Sequence, residues 1–234
     1  MNIIGVVGGV GPFAGLDLTS KIFTQTMARG DQDHLPVAML SFPEKIADRT
    51  EYLLGQVAVN PARAVSQIIL QLENLGAGVV AIPCNTMHAP EIFDVLQSLL
   101  KQRGSRTELL HMIEEVTGFI RAVFPGIYRV GVLSTTGTWK TGVYYHALER
   151  AGLMPVVPDE DLQEKVHQAI YNESYGIKAV SRPVSHKANH QLVDAAHLLK
   201  QKGAEALILG CTEISLAFSQ PSLAGMPLFD PTWI

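Results

Sequence analysis

Two cysteines, Cys84 in "AIPCNTMHAP" and Cys211 in "LILGCTEISL", are the residues of this chain best suited by type and setting to chemistry. Each follows a short β-branched run and precedes a stretch of helical spacing, so each thiol is expected near a helix N-terminus. The partial positive charge there lowers the pKa of a thiol, and the free backbone N–H groups bind carboxylates. A thiolate on one face of a carbon and a thiol on the other could remove and return a proton, which inverts a stereocentre without a cofactor.

Short strands alternating with helices must position these thiols. The predicted strands are "NIIGVV", "LPVAML", "GVVAIP", "ELLHM", "YRVGVLS", "LMPVVP", "EALILG" and "MPLF". Between them lie segments such as "ARAVSQIILQLENLGA", in which apolar residues recur at steps of three and four. This alternation predicts parallel sheets covered by helices. In an open α/β sheet, ligands bind beyond the carboxyl ends of the strands, which is where both cysteines fall.

The two halves of the chain resemble each other. "NIIGVVGGVGP" is similar to "YRVGVLSTTGT", and "AGVVAIPCNTMHAP" is similar to "AEALILGCTEISLA". Such an internal repeat predicts an α/β fold with two similar parallel-sheet domains related by a pseudo-twofold axis, and with the active site in the cleft between them. The first domain is expected to comprise residues 1–112 plus 212–234, since the last strand should return to it, and the second residues 113–211.

Composition excludes several classes of protein. The 234 residues, of which 47% are apolar, suffice to bury a core in one domain or two. The net charge of -4 and the scattered Lys and Arg residues give no basic stripe, so we expect no nucleic-acid partner. No segment is long and apolar enough for a membrane span, and the N-terminus lacks a basic leader. We therefore predict a cytoplasmic protein with no membrane association, in which two cysteines stay reduced.

The glycine-rich segment "GGVGPFAG" has two possible interpretations. Gly9, Gly11 and Gly15 form a G-x-G-x-x-x-G pattern after a strand, as in dinucleotide-binding folds. That fingerprint expects an acidic residue at the end of the second strand, whereas the aspartates of "GDQDH" precede it. We therefore predict a tight turn in which Pro12 begins a helix and the glycines form one wall of a substrate site.

Metal and cofactor chemistry are not expected. The eight histidines show no metal-ligand spacing with Cys or carboxylate partners, and His111 in "ELLHMIEEV" is interpreted as a residue at a strand end. Lys140 and Lys178 lie in no motif typical of a pyridoxal phosphate lysine. A lone cysteine would most simply be a buried core residue. Two cysteines at matching strand ends, followed by "NT" and "TE", favour catalysis instead.

Four motifs are similar to those of a known family. "PCNT", "GCTE", the opening "GGVGP" and "ADRT" resemble the aspartate racemase branch of the aspartate/glutamate racemase superfamily, and the resemblance spans nearly the whole chain. Glutamate racemases carry "GCTH" and an acidic residue in the first loop. In this chain Glu213 stands at the position of that histidine, and no acidic residue occurs in "GVVGGVGP", which indicates the aspartate side of the superfamily.

The resemblance implies a cofactor-independent racemase of L- and D-aspartate, or of glutamate, and a homodimer. Cys84 and Cys211 would be its two catalytic bases. Arg49 and Lys178 would hold the side-chain carboxylate of a small acidic amino acid, with Lys187 a competitor to Lys178. The other residues expected to contact the substrate are polar or lie in the glycine-rich turn: Gly9, Gly11, Asn85, Thr86, Thr136, Thr212 and Glu213.

Two alternative functions remain open at the level of sequence. A related isomerase of the superfamily could form a covalent adduct between one cysteine and an unsaturated diacid. A non-catalytic protein could keep the fold and sense an acidic amino acid, which would stabilise it without turnover.

Overall fold

The computed structural model describes residues 3–218 and 220–234, which divide into two compact units. The first unit ends at Met112, and the second runs from Ile113 to Thr232. Trp233 groups with the first unit and Ile234 with the second. No helix in the described part of the chain is both long and apolar enough to cross a membrane.

The first unit is a four-stranded parallel sheet with helices. Its strands are β1 (Ile3–Val7), β2 (Val37–Leu40), β3 (Ala77–Ala81) and β4 (Glu108–Leu109). Its helices are α1 (Pro12–Gln25), α2 (Arg49–Leu53), α3 (Ala62–Asn74) and α4 (Pro90–Gln102). The strand order is β2-β1-β3-β4, and every pairing is parallel.

The second unit is a five-stranded sheet. Its helices are α5 (Met112–Val123), α6 (Thr136–Thr141), α7 (Val143–Arg150), α8 (Glu160–Tyr171) and α9 (His186–Gln201). Its strands are β5 (Arg129–Ser134), β6 (Met154–Val156), β7 (Ala206–Gly210), β8 (Ser222–Leu223) and β9 (Met226–Phe229). The order is β6-β5-β7-β9-β8, and only β8 pairs antiparallel among the described strands.

The two units repeat one topology. The order β2-β1-β3-β4 corresponds to β6-β5-β7-β9, with the short β8 added at the edge. Cys84 therefore follows β3, and Cys211 follows the equivalent strand β7. This confirms the predicted fold class of two similar parallel-sheet α/β domains.

Strand β7 shows why the strands of this protein are continuous apolar runs in the sequence. Leu207 and Leu209 pack into a cluster with residues of α8 and α9, whereas Ala206 and Ile208 pack with residues of α5 and α7. Because successive side chains of a strand point to opposite faces, helices cover the sheet on both sides. The polar groups of the site are therefore confined to the ends of the strands.

The expected return of the C-terminal strand to the first domain is wrong. Strand β9 pairs with β7, with Leu207 opposite Leu228 and Ile208 opposite Phe229. Phe229 is buried in the same cluster as Ile208. Segment 212–232 therefore belongs to the second unit, because "MPLF" supplies the fourth strand that the repeat requires.

Candidate functional site

Cys84 lies in a tightly hydrogen-bonded loop after β3. Its backbone is extended, and a 3₁₀ turn over Asn85–His88 separates it from α4. The carbonyl of Cys84 accepts a hydrogen bond from the N–H of Met87 at 3.1 Å, and its own N–H donates to the carbonyl of Ile82 at 2.7 Å. Cys84 is 8% exposed, and Asn85 and Thr86 are buried beside it. The loop fixes a nearly buried thiol at the carboxyl edge of the sheet.

His88 is a buried residue of this loop for which the sequence motifs predict no role. Its Nδ1 lies 3.1 Å from the carbonyl oxygen of Cys84, and its ring stacks on Phe93 with centroids 5.1 Å apart. The ring of His111 packs edge-on against the ring of His88, with centroids 4.8 Å apart. Burial, and then the charge of His111, lower the pKa of His88 to about 3. A neutral His88 therefore holds the backbone of Cys84 in place through this contact. The one feature of the sequence that pointed to this role is the position of His88 four residues after the cysteine.

The glycine-rich turn after β1 forms as expected. Gly8–Val10 make a 3₁₀ turn, and Pro12 is the first residue of α1. A Cβ atom on Gly9 would lie 2.7 Å from the backbone nitrogen of Phe42, so only glycine allows the two loops to approach this closely. The turn is held against the segment that follows β2.

Arg49 is joined to this turn. Asp48 caps α2, because its carboxylate accepts hydrogen bonds from the N–H groups of Thr50 at 2.8 Å and Glu51 at 3.0 Å. Arg49, the first residue of that helix, is only 7% exposed, and its Nη2 donates to the carbonyl of Val10 at 2.6 Å. The structure thus brings a buried guanidinium to the predicted glycine wall, at the carboxyl end of the strand beside β3.

Replacing Gly9 by alanine is expected to destabilise the first unit by about 1 to 3 kcal/mol, as overpacking does. The new methyl group would meet the backbone of Phe42, which cannot rotate away as a side chain could. Urea denaturation measures the effect. Gly118→Ala is the matched control, since no atom of the described residues, apart from the adjacent backbone of α5, lies within 4 Å of its Cβ position. That change should be stabilising by roughly 0.5 to 1 kcal/mol, and equal stabilities of the two variants would contradict the prediction.

Cys211 belongs to a group of hydrogen-bonded polar side chains in the second unit. The residue is 4% exposed, and its Sγ donates to Oε2 of Glu213 at 3.1 Å. The hydroxyl of Thr212 donates to the same oxygen at 3.2 Å. The other carboxylate oxygen, Oε1, accepts from Nζ of Lys178 at 3.2 Å. Thiol, carboxylate and ammonium therefore stand in sequence around one buried acidic residue.

The expectation that each thiol has a lowered pKa is wrong for Cys211. Burial raises its pKa well above the ordinary range, the charge of Glu213 adds to this, and Lys178 opposes it. The predicted helix "EISLAF" is only a 3₁₀ turn over Ile214–Ala217. One short turn aligns too few peptide dipoles to offset the desolvation of a buried thiolate. In this structure Cys211 is a neutral thiol that donates to a carboxylate.

The structure separates the two lysines between which the sequence left a choice. Lys178 reaches Glu213 and also lies 4.9 Å from the centre of the Tyr171 ring. Lys187 is exposed on α9 and lies over the ring of Tyr175 at 3.9 Å. Lys178 is therefore the lysine that belongs with Cys211.

Thr136 and Asp230 complete the surroundings in the second unit. Thr136 begins α6 directly after β5, the strand beside β7, and its buried Oγ1 makes no hydrogen bond among the described residues. Asp230 accepts a hydrogen bond from the N–H of Thr232 at 2.9 Å just after the end of β9. Tyr144 lies near both Asp230 and Cys211, and burial, followed by the negative charge of Asp230, raises its pKa well above the ordinary range.

Each unit thus brings its own candidates together. In the first, Arg49 contacts the turn that contains Gly9 and Gly11, and the Cys84 loop follows the neighbouring strand. In the second, Cys211, Thr212, Glu213 and Lys178 form one hydrogen-bonded group, with Thr136 at the end of the adjacent strand.

Two repeated parallel α/β units define a two-domain fold of the racemase type. A model of the family described as "Asp/Glu/Hydantoin racemase" matches residues 7–234, and the chain therefore belongs to that family. It is an isomerase of the amino-acid racemase class. This confirms the resemblance carried by "PCNT", "GCTE", "GGVGP" and "ADRT".

Individual relatives agree with the family assignment. The structure is similar to an aspartate racemase from Picrophilus torridus, with a TM-score of 0.78, 25% identity and coverage of 99% of this chain and 90% of that one. It shares its fold with a glutamate racemase from Francisella tularensis, at a TM-score of 0.66, 16% identity and coverage of 99% and 77%. The broad specificity amino-acid racemase RacX of Bacillus subtilis is 23% identical over 218 residues, or 91% of this chain and 86% of the relative.

Proposed function

We propose that this chain is a cofactor-independent racemase that interconverts L- and D-aspartate, with glutamate as a further substrate, and that Cys84 and Cys211 are its two bases. One observation carries the proposal. The equivalent strands β3 and β7 each end at a nearly buried cysteine, Cys84 at 8% and Cys211 at 4% exposure, in two units that share one strand order. Structural thiols would have no reason to recur at the functional edge of both sheets.

The proposed reaction needs one thiolate and one thiol. The thiolate takes the α-hydrogen as a proton, so that an S–H bond forms and the C–H electron pair remains on Cα. The opposite thiol then gives its proton to the other face of that carbon. No electrons leave the substrate, and the roles of the two sulfur atoms exchange with each turnover. Because the α-hydrogen is weakly acidic, fixed donors must stabilise the carbanion.

The polar residues beside the thiols are suited to binding the amino acid. We assign the α-carboxylate and α-amino group to Asn85, Thr86, Thr136 and Thr212. The support for Thr136 is its buried hydroxyl, which has no hydrogen-bond partner among the described residues. A polar atom buried without a partner is costly unless a ligand satisfies it.

Arg49 is the cation that we assign to the side-chain carboxylate of the substrate. A guanidinium matches a carboxylate with two parallel hydrogen bonds, and burial strengthens that pairing. Arg49 is 7% exposed and lies against the turn of Gly9 and Gly11. Lys178 was the second expected cation, but its ammonium already pairs with Glu213. We propose aspartate as the preferred substrate because one relative is an aspartate racemase. We propose glutamate as a further substrate because another relative is a broad specificity amino-acid racemase.

A reducing compartment suits this chemistry, because both bases must stay unoxidised. Cys84 and Cys211 are free thiols. We therefore propose that the enzyme acts in the cytoplasm. We also propose that it is a homodimer, as the family resemblance implies, which sedimentation equilibrium would test.

The deciding experiment is proton NMR of L-aspartate and of L-glutamate in D₂O with the reduced protein, followed by chiral analysis. Loss of the Cα–H signal with growth of the D enantiomer is the expected result, and the relative rates give the preferred acid. The double variant Cys84→Ala/Cys211→Ala is the matched control. Absence of exchange for both amino acids would overturn the proposal. A thioether adduct with an unsaturated diacid, seen by mass spectrometry, would replace it with the covalent isomerase mechanism.

A further inference from the structure

We propose that Glu213 exchanges a proton with Cys211 during turnover, and that Lys178 is the positioning residue that holds this carboxylate. The inference rests on the proposed racemase function. It changes the roles expected from the sequence, in which both residues were to contact the substrate.

The two carboxylate oxygens of Glu213 have different hydrogen-bond partners. Oε2 receives the thiol of Cys211 at 3.1 Å and the hydroxyl of Thr212 at 3.2 Å. Oε1 receives the ammonium of Lys178 at 3.2 Å. Glu213 is itself only 8% exposed. A carboxylate this deeply buried needs a cation, and Lys178 supplies one while leaving Oε2 facing the sulfur.

A buried thiol cannot readily lose its proton to bulk water. The pKa of Cys211 is raised chiefly by burial, so the resting residue is a thiol and cannot abstract the α-hydrogen. Transfer to Glu213 solves this problem, because the S–H bond breaks as an O–H bond forms at Oε2. The negative charge moves by one hydrogen bond and stays close to Lys178. The reverse transfer restores the thiol when Cys211 must act as the acid.

The other titratable groups near the sulfur are poorly suited to this task. Tyr144 of α7 lies near Cys211, but burial and then the negative charge of Asp230 raise its pKa well above the ordinary range. It therefore stays a neutral phenol. Asp230 accepts hydrogen bonds from the backbone and side chain of Thr232. Glu213 is the carboxylate in direct hydrogen-bond contact with the thiol.

The two thiols differ in this respect. Two positions after Cys211 stands Glu213, whereas two positions after Cys84 stands Thr86. A threonine hydroxyl cannot hold a negative charge at ordinary pH. The acid–base partner is therefore a property of the second thiol, and a variant of Glu213 should act mainly on the half-reaction that Cys211 performs.

The test measures acidity and rate separately in a Cys84→Ala background, where Cys211 is the remaining thiol. Glu213→Gln should lower the pKa of Cys211, because it removes the charge that raises it, and Lys178→Met should raise that pKa. Titration of the thiolate by ultraviolet absorbance gives these shifts. Exchange of the α-hydrogen with D₂O by the same variants should nevertheless fall by about 100-fold, the contribution typical of a positioned acid–base group. In Glu213→Gln, a more acidic thiol paired with a slower reaction is a signature that a structural role would not produce.

The controls separate the proposal from its alternatives. Glu213→Asp keeps a carboxylate and should recover part of the rate, and Lys187→Met should match the parent in both measurements. Thermal unfolding checks that each variant folds, and should Glu213→Gln fail to fold, Glu213→Asp and Lys178→Met carry the test. Unchanged or faster exchange in Glu213→Gln would overturn the proposal, as would an equal loss in a Cys211→Ala background. If the wild-type protein exchanges no amino acid, the racemase function fails, whereas the thiolate titrations still report on the pair.

Discussion

Changing either cysteine to alanine is expected to lower racemisation by about 10³-fold or more, since each removes a group that exchanges a proton with the reacting carbon. Inversion needs both sulfur atoms, so Cys84→Ala and Cys211→Ala should be about equally inactive when D-aspartate formation is followed by chiral chromatography. Each substitution removes a single sulfur atom from the buried cluster of its unit, to which Cys84 and Cys211 belong. The folded fraction should therefore change little, which circular dichroism would establish.

Isotope exchange makes this prediction more specific. Each single variant retains one thiol, and that thiol can still remove and return the α-hydrogen of the enantiomer that presents it. One variant should therefore exchange L-aspartate with D₂O, and the other D-aspartate, without inversion. Ser98→Ala on the exposed face of α4 is the control. Among the described residues, the hydroxyl of Ser98 has one hydrogen bond, which it accepts at 3.3 Å from the exposed side chain of Gln102. Full racemisation by either cysteine variant would contradict the two-base mechanism.

The strands were predictable because each is a continuous apolar run bounded by turn residues. In "EALILG" every residue of β7 is buried, so both faces of the strand select apolar side chains and the pattern is unambiguous. The positions of Cys84 and Cys211 at strand ends followed from the same pattern. The turn at Gly9 was also predictable, since glycine and proline mark such turns in sequence.

Other features depend on partners that are distant in sequence. Pairing of β9 with β7 joins Ile208 to Phe229, and no local pattern shows which sheet a short strand will enter. The choice of Lys178 over Lys187 depends on which side chain reaches Glu213 across 35 positions. The raised pKa of Cys211 follows from burial, which a motif does not reveal. Sequence thus located the thiols but not the electrostatic environment that controls them.

His88 should make the stability of the protein fall as the pH drops from 6.5 toward 3. Burial lowers the pKa of the folded residue from 6.5 to about 3. In that interval the unfolded chain binds a proton that the folded protein excludes, so unfolding becomes more favourable as the pH falls. Above pH 6.5 both states are neutral and the residue costs nothing. The full difference is on the order of 5 kcal/mol, a large fraction of the stability of a typical domain.

The variant His88→Gln tests this directly, because glutamine can still hydrogen-bond to the carbonyl of Cys84 but does not titrate. Urea denaturation at a series of pH values should show a shallower decline of the unfolding free energy than in the wild type. Some stability at neutral pH is lost with the stacking on Phe93. The exposed His190 provides the control His190→Gln, which should follow the wild-type curve. Carboxylates titrate in all three proteins and cancel in the comparison, so an identical pH dependence for His88→Gln and wild type would show that His88 becomes protonated without unfolding the loop that holds Cys84.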